Sequence, residues 1–168
     1  MDLEGAAGIG RLNVVKRFFK KDGGLKANAI ERQLESGFIW ACEYGRTGVV
    51  TFLLENGMRV AARPHGETGL HQAAYAGHAA IVKLLLKRKA PVDVKDRRYD
   101  NTPLGWALHG WLYPPPEARR RNHVKVVALL VAAGATVNRK SVENDEEAQR
   151  IRADRRMLAA LDDRMLLR

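Results

Sequence analysis

Five histidines and one cysteine are the side chains of this 168-residue chain that are best suited to metal binding or nucleophilic catalysis. They are His65, His71, His78, His109 and His123, together with Cys42. No two of them have the short spacing of a zinc motif, and one thiol cannot build a multi-thiolate site or an internal disulfide. A Cys–His nucleophile is the catalytic alternative that the sequence leaves open, but no residue near Cys42 supports it. We therefore expect no metal, no cofactor and no enzymatic activity.

The surrounding sequence repeats itself with a step of roughly 33 residues, the length of one supersecondary unit in a stacked array. Each copy has a pair of small residues, a glycine or asparagine, a β-branched pair and a large apolar pair. The small pairs are Ala6-Ala7, Ala41-Cys42, Ala73-Ala74 and, more loosely, Ala107-Leu108, and the β-branched pairs are Val14-Val15, Val49-Val50, Ile81-Val82 and Val126-Val127. Each copy predicts two short amphipathic helices, because the two apolar pairs lie one helical turn apart. Cys42 is then a buried, inert thiol, and the equivalent turn positions of His78 and His123 favour structural roles.

The best-defined copies are TGLHQAAYAGH, residues 68–78, and TPLGWAL, residues 102–108. The segment NHVKVVALLVAAGATVN, residues 122–138, supplies the second half of the last unit. These motifs resemble the ankyrin repeat, and the resemblance covers about residues 6–138. It implies an all-α ankyrin-repeat solenoid of about four helix-turn-helix units with short finger loops between them, followed by a C-terminal capping helix. It also implies that His71 hydrogen-bonds neighbouring backbone and holds adjacent fingers together.

Residues 1–140 form the predicted repeat domain, with repeats at about 1–28, 29–62, 63–96 and 97–140. Repeat one begins inside its first helix at Met1, so one alternative is that the chain is a structural segment of a longer multidomain protein. Repeat two lacks a finger-tip glycine, and KANAIERQLESGF, residues 26–38, is interpreted as an extension of its first helix. Trp40 and Trp106 occupy matching places in two first helices and are interpreted as packing between repeats.

Residues 141–168 depart from the repeat pattern and predict the C-terminal capping helix. Asn144 followed by three acidic residues is a strong signal for a helix N-terminus. One side of this helix is apolar and carries Ile151, Leu158, Leu161 and Met165, while the arginines lie mostly off that side. A structural cap fits this pattern, and a partner-binding helix is the alternative.

An insertion of about eleven residues separates the two helices of repeat four. It has the sequence GWLYPPPEARRR, residues 110–121, and three consecutive prolines cannot continue a helix. A solvent-exposed loop is one interpretation. The other is a contact element, because Trp111 and Tyr113 offer aromatic surface beside Arg119, Arg120 and Arg121. The segment TPLGWALHGW with its extended turn resembles a variant found in bacterial ankyrin proteins.

The net charge of +10 comes from 29 basic and 19 acidic residues. Half of the excess of basic over acidic residues lies in residues 63–98, which carry eight basic and three acidic residues. Lys83 and Lys87 fall on the second helix of that repeat and Arg98 near a finger tip, so the basic residues form no obvious single stripe. Nucleic-acid binding is therefore the less favoured interpretation. An acidic protein partner is favoured over it, because charge mainly steers encounter.

The longest apolar stretch, about residues 126–137, is too short to span a bilayer. The amino terminus has no basic-then-apolar secretory pattern, and a single cysteine fits a reducing compartment. We expect a cytoplasmic monomer that does not enter a membrane.

The resemblance to ankyrin repeats implies a contact surface on the concave side, made by the fingers and the ends of the first helices. At matching positions the predicted partner-binding residues are Glu43, Tyr44, His65, Glu67, Tyr75, Ala76, Arg98, Tyr99, Asn101, His109, Trp111 and Tyr113. The preferred anchors are Tyr44, Tyr75, Tyr99 and Trp111, because aromatic side chains bury a large area with few rotors. Partial packing between repeats is the alternative for these four. The sequence therefore predicts a non-enzymatic module that binds another protein.

Overall fold

The computed structural model describes residues 1–26, 30–114, 120–136 and 145–161. Their helices are α1 Leu3–Gly8, α2 Leu12–Val15 with a 3₁₀ turn at Lys16–Phe18, α3 Glu31–Glu43, α4 Thr47–Glu55, α5 Gly69–Tyr75, α6 Ala79–Lys87, α7 Pro103–Leu112, α8 Arg120–Ala132, α9 Asp145–Ala153 and α10 Arg155–Leu161. Within this described part, β pairing is limited to one isolated bridge between Phe19 and Leu25. The predicted all-α class is confirmed.

The helices stack in two layers. Helices α1, α3, α5 and α7 contact one another in that order and form the first-helix layer, and α2, α4, α6 and α8 form the second-helix layer. Small residues such as Ala73 and Ala74 are fully buried on α5, and Ile81, Val82 and Leu85 are fully buried on α6. The core therefore lies between the layers, as the paired apolar positions of the sequence predict.

Each turn between a first and a second helix is tied to the preceding repeat by one hydrogen bond. A side-chain N–H donates to a carbonyl oxygen at the end of the previous first helix: Arg46 Nε to Gly8 O at 3.0 Å, His78 Nε2 to Glu43 O at 2.9 Å and His123 Nε2 to Tyr75 O at 2.7 Å. The structural roles predicted for His78 and His123 are confirmed. Arg46 fills the same position in the second repeat, which the sequence pattern of histidines did not reveal.

His71 joins one finger to the next, as the resemblance implied. Its Nδ1 accepts from the backbone N–H of Thr68 at 3.2 Å and lies 2.8 Å from Thr68 Oγ1, which caps α5. Its Nε2 donates to the carbonyl oxygen of Asn101 at 3.2 Å. These contacts require the neutral imidazole with its proton on Nε2, because the other nitrogen serves as an acceptor.

Helix α3 begins at Glu31, so the predicted extension of the first helix of repeat two is present from that residue onward. Residues 27–29 lie outside the described part of the chain.

The predicted loop at residues 110–121 is partly wrong, because α7 continues to Leu112 and α8 begins at Arg120. Gly110 permits the extra turn of α7: a Cβ there would collide with the Tyr75 carbonyl and lie 2.9 Å from His123 Nε2. The added turn carries Trp111 into the core, where its side chain is 7% exposed. Proline stops the helix at Pro114, and residues 115–119 fall outside the described chain.

The predicted single capping helix is two helices, α9 and α10, that meet at Asp154. Asp154 Oδ1 accepts from the backbone N–H groups of Arg156 at 2.9 Å and Met157 at 3.1 Å, so the side chain caps a new helix instead of continuing the old one. Helix α10 packs on α8. Ile151 and Leu161 are buried as predicted, whereas Met157 takes the buried place expected of Leu158. Met165 lies outside the described residues.

Lowering the pH should destabilise the fold through His71. Burial, which outweighs the hydrogen bond to Asn101, lowers the pKa of His71 to about 4. Between the unfolded pKa near 6.5 and this value the unfolded chain binds more protons, so the free energy of unfolding should fall by up to about 3 kcal/mol as pH drops through that window. Burial also lowers the pKa of His78, which adds in the same direction.

Urea denaturation at several pH values between 7 and 4 measures this loss. The variant His71→Gln should be less stable at pH 7 but show a shallower decline between pH 6.5 and 5, while the exposed His65→Gln should keep the wild-type slope. If His71→Gln lost stability with pH as steeply as the wild type, His71 would not be the source of the pH dependence.

Alanine substitutions at two glycines distinguish the free-energy cost of backbone strain from the cost of a steric clash in the turn. Gly45 and Gly57 have φ angles of +72° and +87°, which L-residues rarely adopt. A Cβ on Gly45 would lie 2.6 Å from His78 Cε1, whereas a Cβ on Gly57 meets nothing within 4 Å. We expect Gly57→Ala to cost about 1 kcal/mol and Gly45→Ala about 2–3 kcal/mol, measured by chemical denaturation. Equal costs would show that the His78 contact is not rigid.

Candidate partner-binding face

Four of the predicted partner-binding residues meet in one groove. Tyr75 comes from the end of α5, His109 from α7, and Tyr99 and Asn101 from the finger that precedes α7; Trp106 of α7 completes the lining. The cavity has a volume of about 350 Å³. We call it the aromatic groove. It opens on the side of the molecule made by the first-helix layer and the fingers, which we call the finger face.

The rings of the groove contact one another edge to face and in stacks. Trp106 makes edge-to-face contacts with Tyr75 at 6.0 Å and with Tyr99 at 6.2 Å between ring centroids. His109 stacks on Tyr75 at 6.2 Å with 22° between the planes, and Tyr113 lies 5.1 Å beyond His109. Tyr99 is 59% exposed and Tyr113 48% exposed. The result is a continuous aromatic surface that a partner can reach.

The finger that carries Tyr99 is organised by the carboxylate of Asp96. One oxygen accepts from the backbone N–H groups of Arg98 at 2.8 Å and Tyr99 at 2.7 Å. The other oxygen accepts from the Asn101 N–H at 3.1 Å and from the Trp106 indole N–H at 3.0 Å. Asp96 therefore fixes the finger and one wall of the groove at once.

The electrostatics of Asp96 agree with this geometry. Burial alone would raise its pKa, but the N–H donors from Tyr99, Trp106, Asn101 and Arg98 together hold the pKa below its ordinary value. The carboxylate is thus ionised under ordinary conditions and accepts all four hydrogen bonds.

The remaining predicted residues lie around the groove or away from it. Arg98 lies over the Tyr99 ring, with its guanidinium carbon 5.1 Å from the ring centroid. Ala76 is half-buried next to Tyr75, and Tyr44 is 51% exposed where α3 ends. His65 is exposed and pairs with Ser36 Oγ through Nε2 at 3.0 Å.

Glu43 and Glu67 lie one repeat before the groove, close enough for the charge of Glu67 to act on Glu43. Both side chains are half-buried.

Trp111 was predicted as an anchor on the contact surface, and this placement is wrong. The ring is buried, on the side where Arg150 and the loop between α9 and α10 cover it. The longer α7 explains the error, because Trp111 then lies on the helix one turn after the buried Ala107 and Leu108 and shares their face.

Tyr113 connects the groove to the C-terminal helices. Its hydroxyl donates to Glu147 Oε1 at 2.9 Å, and the Arg150 guanidinium lies 5.7 Å from its ring centroid. The hydrogen bond to Glu147 raises the pKa of the phenol. Arg150 also donates to the carbonyl oxygen of Leu112 at 3.0 Å. The last helices thereby hold the end of α7 in place.

Trp106 is the groove residue that sequence reasoning missed. It was interpreted as packing between repeats, together with Trp40. The signal that could have found it is the spacing from His109: residues three apart on a helix share a face, and His109 was already expected on the contact surface. Trp40 stands at the same position of α3; it lies against Gly8 of α1, and so packs between repeats as interpreted, but it is 39% exposed.

Cys42 is fully buried, and burial raises the pKa of its thiol. A thiol of this kind is a poor nucleophile. Among the residues that the structure describes, no group of three or more histidine, cysteine, aspartate or glutamate side chains could hold a metal ion.

Stacked helix pairs joined by fingers define a repeat solenoid. The chain belongs to the ankyrin-repeat family: the family model for ankyrin repeats in three copies matches residues 3–98 and 39–141.

Two curated relatives from Drosophila melanogaster share part of this sequence. The palmitoyltransferase Hip14 is 36% identical over 104 residues, which is 60% of this chain and 14% of that protein. The E3 ubiquitin-protein ligase Ufd4 is 31% identical over 117 residues, which is 68% of this chain and 4% of that protein. The chain therefore matches a small part of each of these much longer proteins.

A search of the described helices for a membrane span found none of sufficient length and apolar character.

Replacing Asp96 with asparagine should loosen the finger. An amide nitrogen cannot accept a hydrogen bond, so two of the four donors lose their partner, and we expect the free energy of unfolding to fall by about 2–3 kcal/mol. The control is Asp93→Asn. Asp93 accepts two hydrogen bonds, both from Thr136, and lies at an exposed site. The control should lose about 1 kcal/mol or less. Chemical denaturation measures both, and equal losses would contradict the organising role of Asp96.

Proposed function

We propose that this chain is a non-enzymatic module that binds another protein reversibly through the aromatic groove on its finger face. Ankyrin repeats are in general protein–protein interaction modules and in general non-catalytic. The observation that carries the proposal is the aromatic surface formed by Tyr75, Tyr99, Trp106 and His109, in which Tyr99 and His109 are exposed and the other two rings are half-buried. Aromatic residues of this kind dominate the energetics of protein interfaces.

Preorganisation supports the same proposal. The groove is built before a partner arrives, because Asp96 holds the finger and His123 holds the end of α5 through the Tyr75 carbonyl. A preformed site loses little conformational entropy on binding, so more of the contact free energy appears as affinity. The cavity of about 350 Å³ suits one or two side chains of a partner, at the small end of the range for ligand pockets.

The proposal does not include the enzymatic activities of the relatives. Each match covers the repeat region of a much longer protein, and a shared fold does not transfer a reaction. We assign the protein to the cytoplasm, where its reduced thiol is stable.

Binding to nucleic acid is the second candidate, and the distribution of charge argues against it. Lys83 is exposed on α6 in the second-helix layer, whereas Arg98 is exposed on a finger. A nucleic-acid surface combines a continuous basic track with stacking aromatics, and the exposed cations here are divided between two sides of the solenoid.

Affinity capture from a nuclease-treated lysate of the source cells tests the proposal. The bait Tyr99→Ala/His109→Ala removes two exposed rings from the groove, and Lys83→Ala/Lys125→Ala is a matched double change on the second-helix layer. We expect the wild type and the control to capture the same protein, and the groove variant to capture at least about tenfold less, as loss of interface anchors requires.

Circular dichroism and thermal unfolding verify that all three baits are folded. Equal capture by the groove variant would contradict the proposal. Capture that disappears on nuclease treatment would support the nucleic-acid function in its place.

A further inference from the structure

Two carboxylates lie one repeat before the aromatic groove, at positions equivalent to groove residues. Glu43 lies five residues after Phe38 on α3, as Tyr75 lies five residues after Leu70 on α5. Glu67 directly precedes the Thr68 that caps α5, and Asn101 directly precedes the Thr102 that caps α7. Glu43 in repeat two and Glu67 in repeat three therefore hold, one repeat earlier, the positions that Tyr75 and Asn101 hold around the groove.

The two carboxylates place two negative charges on this part of the finger face. Both are half-buried, and neither forms an ion pair with any residue in the described part of the chain. Burial raises the pKa of Glu43, and the neighbouring charge of Glu67 raises it further. Each carboxylate would be stabilised by a cation placed between them, because such a cation relieves both their repulsion and their incomplete hydration.

The distance between the two features follows from helix packing. Adjacent helices of the first-helix layer lie about 8–10 Å apart, so one repeat separates the carboxylates from the groove by about that distance. An extended chain rises about 3.3 Å per residue. A peptide that runs along the stack therefore passes from one feature to the other in about three residues.

We propose that the partner presents an extended segment in which an apolar or aromatic side chain enters the aromatic groove and a lysine or arginine about three residues away faces Glu43 and Glu67. This inference rests on the proposed function and adds the chemistry of the partner to it. It differs from the acidic partner that the net charge of +10 suggests. Lys83 and Lys87 project from α6 in the second-helix layer, whereas charge next to the groove decides what binds there.

Arg63 and Arg97 contact Gly66, beside Glu67, but within the described residues neither forms an ion pair with Glu43 or Glu67. Arg98 lies farther along the stack. Its guanidinium lies over Tyr99, on the finger of repeat four, one repeat beyond Glu67. It therefore borders the groove at Tyr99 and would favour an acidic residue of the segment there.

Selection from a phage-displayed library of random dodecapeptides on the full chain is the first test. We expect enriched peptides to share an apolar or aromatic residue with lysine or arginine about three positions away. Selection on Tyr99→Ala/His109→Ala should enrich none of them. Enriched peptides with no basic preference, or with an acidic one, would overturn the inference while leaving the groove as a binding site. Absence of enrichment, or enrichment that ignores the groove variant, would instead count against the proposed function.

A double-mutant cycle on one selected peptide is the second test. Changing its basic residue to glutamine should weaken binding to the wild type by about tenfold, measured by calorimetry. In Glu43→Gln/Glu67→Gln the same peptide change should have almost no effect, because its partner charges are gone. The control Glu31→Gln/Glu55→Gln has the same net charge and should behave like the wild type. A tenfold loss that persists in Glu43→Gln/Glu67→Gln would show that the basic residue binds elsewhere.

Discussion

One hydrogen bond, repeated along the stack, sets the geometry on which the proposed binding face depends. A side chain at the start of each second helix donates to a carbonyl oxygen at the end of the previous first helix, at 3.0, 2.9 and 2.7 Å in successive repeats. The acceptor carbonyls of Glu43 and Tyr75 belong to residues whose side chains lie on the finger face. Packing inside the solenoid and the position of the binding residues are therefore coupled through the same backbone groups.

The buried groups that stabilise the fold and the exposed groups that form the groove are joined at two further points. Asp96 connects a finger to Trp106, and His71 connects consecutive fingers through the Asn101 carbonyl. Because each link uses a buried or half-buried hydrogen bond, its loss would leave a donor or acceptor without a partner. These links hold the surface in one arrangement, and a preorganised surface loses little conformational entropy if a partner binds to it.

The sequence predicted the helix pairs because small and apolar residues recur at helical spacing in every copy. It predicted the roles of His78 and His123 from their equivalent positions, and the resemblance to ankyrin repeats implied the role of His71. It did not predict the burial of Trp111, because three prolines nearby favoured a loop and nothing in the sequence shows that Gly110 can pass the Tyr75 carbonyl. The break between α9 and α10 was missed because the apolar spacing is compatible with one continuous helix. The hydrogen bonds that Asp154 accepts start a new helix instead. The groove was found in part: Tyr75, Tyr99, Asn101 and His109 were expected on the contact surface, but Trp106 was assigned to the core.

The central claim is that a partner protein contacts the aromatic groove inside the cell. The most direct measurement replaces Tyr99 with the photo-crosslinking residue p-benzoylphenylalanine, irradiates living source cells and identifies the crosslinked protein by mass spectrometry. The same probe at Lys83, on the opposite layer, is the comparison. Our account predicts one abundant crosslinked protein from position 99 that is missing from position 83. Identical crosslinks from both positions, or none from position 99, would contradict it.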